Sequence, residues 1–240
     1  MSRNHHPSER RRAGPAAYGT GARLFNALSR RAAAWLCGLS LALSLAAPAA
    51  AHTAVILAFG DSLFAGLGLP ANESFPAQLE ARLKRQGIDV RIINAGSSGD
   101  TTHDGVARLD WTLADKADKP DFVLLELGAN DMLRCLPTDA ARANLDAMIR
   151  RFQASGSRVL LFGMLASPDC GPDYQRRFDR IYAELARRDH VPLYPFFLQG
   201  VAMKPQFNQP DGKHPNARGV AVLVDRIAPW VARFVAGSAT

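Results

Sequence analysis

Short apolar runs and longer periodic stretches alternate along this 240-residue chain. The runs are Val55 to Phe59, Val90 to Ile93, Phe122 to Leu127, Val159 to Phe162 and Val191 to Tyr194. A mostly apolar run without polar alternation reads as a strand buried on both faces of a parallel sheet. Between the runs, apolar residues recur at helical spacing. Phe75, Leu79 and Leu83 share one face of a helix that Gly87 stops. Leu145, Met148, Ile149 and Phe152 mark a second, capped by Thr138 and ended by Gly156. Phe178, Ile181, Tyr182 and Leu185 mark a third. Val220, Leu223, Ile227, Trp230 and Phe234 mark the last, which Pro229 should bend by removing a backbone donor. A weaker pattern predicts a helix from Asp104 to Leu113. Alternating strands and crossover helices predict an α/β fold, a single parallel sheet with helices on both faces. Five strands suit the flavodoxin-like three-layer sandwich with order 2-1-3-4-5.

The first fifty residues break this pattern. Arg10, Arg11, Arg12, Arg23, Arg30 and Arg31 precede an apolar stretch from Ala32 to Ala47, and Pro48-Ala49-Ala50-Ala51 follows. Charge, apolar core and small residues in that order predict a secretory signal over residues 1–51, cleaved after Ala51, with residues 52–240 as one domain. The apolar stretch falls short of the ~20 residues that span a bilayer, so no stable membrane anchor is expected after cleavage. The product should be periplasmic or secreted. The leader also distorts the charge. Lys plus Arg is 29 against 22 Asp plus Glu in the full chain, but seven arginines and one glutamate lie within residues 1–51. The remainder is close to neutral, which argues against a nucleic-acid partner. Of three cysteines, Cys37 goes with the leader. Cys135 and Cys170 remain, and an oxidising compartment favours a bridge between them over two free, buried thiols.

Chemistry concentrates just past the strand ends. Gly60-Asp61-Ser62 ends the first run, placing a serine where open α/β sheets hold their ligands. A serine hydroxyl needs an adjacent base to be nucleophilic. Of six histidines, His5, His6 and His52 lie in or beside the leader. His190 follows a helix among charged residues, and His103 follows the second strand's loop, exposed or at the rim of the site. His214 stands in Asp211-Gly212-Lys213-His214-Pro215, where an acid three positions ahead can accept the second ring proton and fix the tautomer. Asn94 to Thr101 follows the second strand, and Gly128-Ala129-Asn130-Asp131 the third, so both loops share the sheet edge with Ser62.

Taken in order, Phe59-Gly60-Asp61-Ser62-Leu63, Ser98-Gly99-Asp100-Thr101, Gly128-Ala129-Asn130-Asp131-Met132-Leu133-Arg134 and the Asp211 to His214 block resemble the GDSL, or SGNH, serine hydrolases. The resemblance covers about residues 54 to 236. With Val191-Pro192-Leu193-Tyr194-Pro195-Phe196-Phe197 it points to the proteobacterial periplasmic thioesterase, lysophospholipase and arylesterase branch. It implies a Ser62-His214-Asp211 triad and an oxyanion hole built from the N–H groups of Ser62 and Gly99 and the amide of Asn130. Cys135 and Cys170 depart from that branch in the substrate loops.

The expected activity is hydrolysis of acyl esters and thioesters by a secreted serine esterase. A carbohydrate O-acetyl esterase is the alternative on the same fold. Leu67, Leu69, Pro70 and Phe207, with Phe196, Phe197, Leu198 and Met203, surround the site loops and favour an acyl chain over a sugar; the alternative for all of them is a place in the core, above all for Phe196 and Leu198. Arg134 joins Leu67, Leu69, Pro70 and Phe207 as a candidate substrate contact. A non-catalytic flavodoxin-like binding module would need no converging serine, histidine and acid. No Gly-x-x-x-x-Gly-Lys phosphate loop and no metal-ligand cluster occurs, so neither cofactor nor metal is expected. Partners should be small acyl esters, thioesters or lysophospholipids, with the enzyme a monomer.

Overall fold

The computed structural model describes residues 53–114 and 119–237. The leader expectation, Cys37 and three of the histidines (His5, His6 and His52) lie outside the described residues. Strands β1 (Ala54–Gly60), β2 (Val90–Gly96), β3 (Phe122–Glu126), β4 (Arg158–Phe162) and β5 (Leu193–Tyr194) form one sheet in the order β2-β1-β3-β4-β5. Every pairing is parallel, with Gly60 opposite both Gly96 and Glu126. The carboxyl ends of the three strands that precede the candidate site loops are therefore level, and their loops open on one edge.

Between the strands run α1 (Ser62–Ala65), α2 (Phe75–Arg85), α3 (Thr102–Leu113), α4 (Ala129–Leu133), α5 (Thr138–Ala154), α6 (Pro172–Arg188) and α7 (Ala217–Val235). Helix α2 packs on α7, while α3 packs on α5 and α5 on α6. These two groups cover the sheet as the outer layers of a three-layer sandwich. From Phe122 to Leu127 every residue is buried, which is why those positions carry almost no polarity. Phe64, Phe75, Phe162 and Phe197 form an aromatic knot beneath α1, with ring centroids 5.0 to 6.5 Å apart. Edge-to-face pairs of this kind contribute about 0.5–1.5 kcal/mol each beyond their buried area. The knot fixes the floor of the short helix that begins at Ser62.

Several boundaries differ from the sequence expectation. β5 is only Leu193–Tyr194, because His190 turns with φ at 52° and Pro192 has no N–H for a ladder. Helix α3 begins at Thr102, where Thr101 and Asp104 form a capping box. Thr138 is the first residue of α5 rather than its side-chain cap, the flanking Pro137 supplying none. Pro229 lies inside a continuous α7. The two short helices α1 and α4 follow strands β1 and β3 directly, and four or five residues are too few to show a helical period in the sequence.

Candidate active site

Ser62 is the first residue of α1, directly after β1. The turn is tight for steric reasons. A Cβ on Gly60 would meet the Glu126 carbonyl oxygen, Glu126 Oε2 and Phe64 Cδ2, each at 2.8 Å. Gly60 is thus required for space, not for a left-handed φ. Asp61 caps the helix, its Oδ1 accepting from Leu63 N at 2.9 Å. The Ser62 N–H, in the first turn of the helix, has no acceptor among the described residues.

The histidine arrives on a hairpin-like loop. Asn208 bridges to Pro215, and Gln209 N donates to His214 O at 2.7 Å. Within it Asp211 Oδ1 accepts from Lys213 N at 2.8 Å and His214 N at 3.0 Å, and Gly212 takes φ at 70°. Asp211 Oδ2 faces His214 Nδ1 at 2.6 Å, while His214 Nε2 faces Ser62 Oγ at 2.9 Å. A proton on Nδ1 donated to Asp211 leaves Nε2 to accept from the serine hydroxyl. Burial pushes the Asp211 carboxyl up, but the hydrogen bonds from His214 and Lys213 outweigh it and bring it down to about 2. Gln209 ties this loop to the nucleophile segment, its Nε2 donating to Leu67 O at 2.7 Å and to Pro215 O at 3.0 Å.

Gly99 adopts φ at 90°, its N–H has no acceptor among the described residues, and the space beside its Cα is open. Asn130 Nδ2 donates to Asp100 O at 2.9 Å and reaches Asp61 Oδ2 only at 3.3 Å. One amide hydrogen is therefore firmly held and the other loosely. Asp131 is buried and clamps the start of α3, accepting from Thr102 N at 2.8 Å and Thr102 Oγ1 at 2.6 Å. Ser62, His214, Gly99 and Asn130 thus come from four separate segments, two of them short helices, to one sheet edge.

The other candidates divide. Leu67 is exposed, and its carbonyl receives Gln209. Leu69 and Phe207 pack against the core, and Pro70 leads into the 3-10 turn Ala71–Glu73. Arg134 Nη2 donates to Gly99 O at 3.0 Å, bracing the glycine loop. Phe197 is fully buried in the aromatic knot and so belongs to the core, whereas Met203 stands exposed. Cys135 and Cys170 are joined by a disulfide with Cα atoms 5.6 Å apart, linking the end of α4 to the turn Pro168–Cys170. His103 lies exposed in the first turn of α3 and His190 beyond the end of α6. No group of three or more His, Cys, Asp or Glu among the described residues could hold a metal.

Sequence reasoning missed one feature. Asp61 and Glu126 are both fully buried behind Ser62. Asp61 N donates to Glu126 Oε2 at 3.4 Å, and Glu126 Oε1 has no hydrogen-bond partner. A glutamate inside a run that is otherwise apolar was the available signal, since unpaired carboxylates are rarely buried.

Residues 58–222 match the GDSL-like Lipase/Acylhydrolase family. The arylesterase of Vibrio mimicus is 40% identical over 199 residues, covering 82% of this chain and 94% of its own. The Escherichia coli K12 protein described as thioesterase 1/protease 1/lysophospholipase L1 is 37% identical over 185 residues, covering 77% of this chain and 84% of its own. Among solved structures, that of AlinE4, an SGNH-hydrolase family esterase, is 49% identical, covers 76% of this chain and 96% of its own, and superposes with a TM-score of 0.65.

Proposed function

This chain belongs to the GDSL-like lipase/acylhydrolase family and is a serine hydrolase of esters and thioesters; we propose that it works through Ser62, His214 and Asp211. The observation that carries the assignment is the unbroken line of hydrogen bonds, Ser62 Oγ to His214 Nε2 and His214 Nδ1 to Asp211 Oδ2.

Ser62 Oγ attacks the acyl carbonyl carbon as its proton passes to His214 Nε2. Asp211 stays ionised and stabilises the resulting imidazolium. The tetrahedral oxyanion receives hydrogen bonds from the N–H groups of Ser62 and Gly99 and from the loosely held hydrogen of Asn130. Collapse expels the alcohol or thiol, which takes the proton from His214 and leaves Ser62 acylated. Water, deprotonated by His214, then attacks the acyl carbon, and collapse breaks its bond to Ser62 Oγ, which takes the proton back from His214 as the carboxylic acid leaves. Every group in this sequence comes from the chain itself.

Exposed Leu67, whose carbonyl is tied to Gln209 of the histidine loop, supports an acyl chain as substrate. Each methylene fully buried adds about 0.8 kcal/mol, roughly fourfold in kcat/KM. A panel of p-nitrophenyl esters from acetyl to palmitoyl, with an acyl-thioester and a lysophospholipid, should give a maximum at medium chain length. Activity highest on acetyl and falling with length would transfer the assignment to a carbohydrate O-acetyl esterase. We propose further that residues 1–51 are a leader removed on export to the periplasm. The charge and apolar order of those residues supports it. N-terminal sequencing of the protein from a periplasmic extract should begin at His52; a retained leader would reject export by this route.

A further inference from the structure

The mechanism above makes no use of the two carboxyl groups buried behind the nucleophile. Glu126 is the last residue of β3 and is fully buried. Its partners among the described residues are both on Asp61, the backbone N–H at 3.4 Å on Oε2 and the side-chain carboxyl, and Oε1 receives no donor. No lysine, arginine or histidine forms an ion pair with it there. A carboxylate in that position would cost several kcal/mol, and such groups neutralise instead. Asp61 is equally buried but differently served. It accepts from Leu63 N at 2.9 Å and Asn130 Nδ2 at 3.3 Å, bonds that favour its charged form. Two adjoining carboxyls in a dry site retain one proton between them, and the one with the fewer and longer donor contacts keeps it.

We infer that Glu126 is protonated in the folded enzyme and donates that proton to the Asp61 carboxylate, acting as a positioning residue for the Ser62 turn and for Asn130. The titratable groups around the pair do not displace this arrangement. Tyr182 of α6 gives its hydroxyl to Leu127 O at 2.9 Å. Asp131 of α4 is occupied by Thr102. Asp100 accepts from Arg108 Nε at 2.6 Å, and Arg108 Nη2 donates to Gly60 O at 2.9 Å rather than to either carboxyl. His214 faces Ser62 and Asp211. Burial and the neighbouring Asp61 drive the Glu126 carboxyl well above the usual range, and burial raises Asp61 to about 6. At neutral pH the pair is therefore a neutral Glu126 beside an ionised Asp61. With one of its lone pairs filled by Glu126, Asp61 draws less on Asn130. The loose amide hydrogen then turns to the oxyanion as that charge develops. The role rests on the oxyanion assignment of Asn130 made above, but the proton itself does not.

Two variants and one spectrum test this. Glu126→Leu removes the donor, and Glu126→Gln replaces the O–H with an N–H that can still reach Asp61. Glu126→Leu should lower kcat about tenfold or more with KM nearly unchanged, the sign of a lost transition-state interaction. Glu126→Gln should recover most of that loss. Infrared difference spectra of parent against Glu126→Gln at neutral pH should contain the carbonyl stretch of one protonated carboxylic acid, whatever the activity. If Glu126→Leu does not fold, the Gln variant and the spectrum still decide. Absence of that band, or a folded Glu126→Gln as slow as the Leu variant, overturns the inference. The band present in an enzyme whose Asn130→Ala variant keeps full kcat would instead leave the proton in place and remove the oxyanion assignment.

Discussion

Asp211 and Asp61 flank the same serine-histidine pair, yet their environments push them in opposite directions. Hydrogen bonds from His214 and Lys213 bring Asp211 down to about 2, so the fold favours its charge. Its stabilising effect is complete above the ordinary carboxylate range and is lost as pH falls through about 2. Asp211→Asn should therefore be less stable than the parent at neutral pH, with the gap closing in acid; urea titrations at both ends of that range measure it. Burial raises Asp61 to about 6, so the folded state holds its proton more tightly than the unfolded chain. Relative to Asp61→Asn, parental stability should fall as pH rises from about 4 to about 6 and level off above. A parent curve parallel to that of the Asn variant across this window would show that Asp61 does not titrate there. At Asn130 the amide should serve the transition state. Asn130→Ala should lower kcat by about 100–1,000-fold with little change in KM. A change confined to KM would make it a substrate-binding group.

Single elements position these residues, and their contacts explain what could be read in advance. β1 and β4 were legible because every side chain after the first positions is buried, leaving unbroken apolar runs. β2 was legible only in part: it is an edge strand, half-exposed, and it continues through Asn94 to Gly96. The catalytic blocks were visible as local patterns, since Asp211 and His214 sit three positions apart and make the contact within one loop. What joins the loops was not visible. Gln209 reaches Leu67 across 142 positions, and Asp61 meets Glu126 across 65, so no local pattern carries either. Gln209 gives a prediction at this scale. Gln209→Ala removes a link between the histidine loop and the nucleophile segment. A neutral hydrogen bond is worth about 0.5–1.5 kcal/mol, so kcat should fall roughly three- to tenfold through misalignment. Steady-state kinetics with parental kcat would mean the two loops are held in register by other contacts.

Across the whole molecule, one parallel sheet brings the ends of β1, β2 and β3 to a common edge, and the loop before α7 closes over it with the histidine. The disulfide between Cys135 and Cys170 clamps two loops of that edge and closes 35 residues of chain. Restricting the unfolded chain by a loop of that size contributes about 3–4 kcal/mol. The paired Cys135→Ser and Cys170→Ser variant should melt roughly 6–16 °C lower while keeping its triad chemistry. An unchanged melting temperature would mean that the bridge adds nothing to the native state. The claim on which the rest depends is that Ser62 is the nucleophile and His214 its base. A fluorophosphonate attacks only an activated serine, and peptide mass spectrometry locates the adduct. The adduct should lie on Ser62 in the parent, be absent from Ser62→Ala, and form orders of magnitude more slowly in a folded His214→Ala. An adduct on another serine, or parental esterase activity in purified Ser62→Ala, would contradict it.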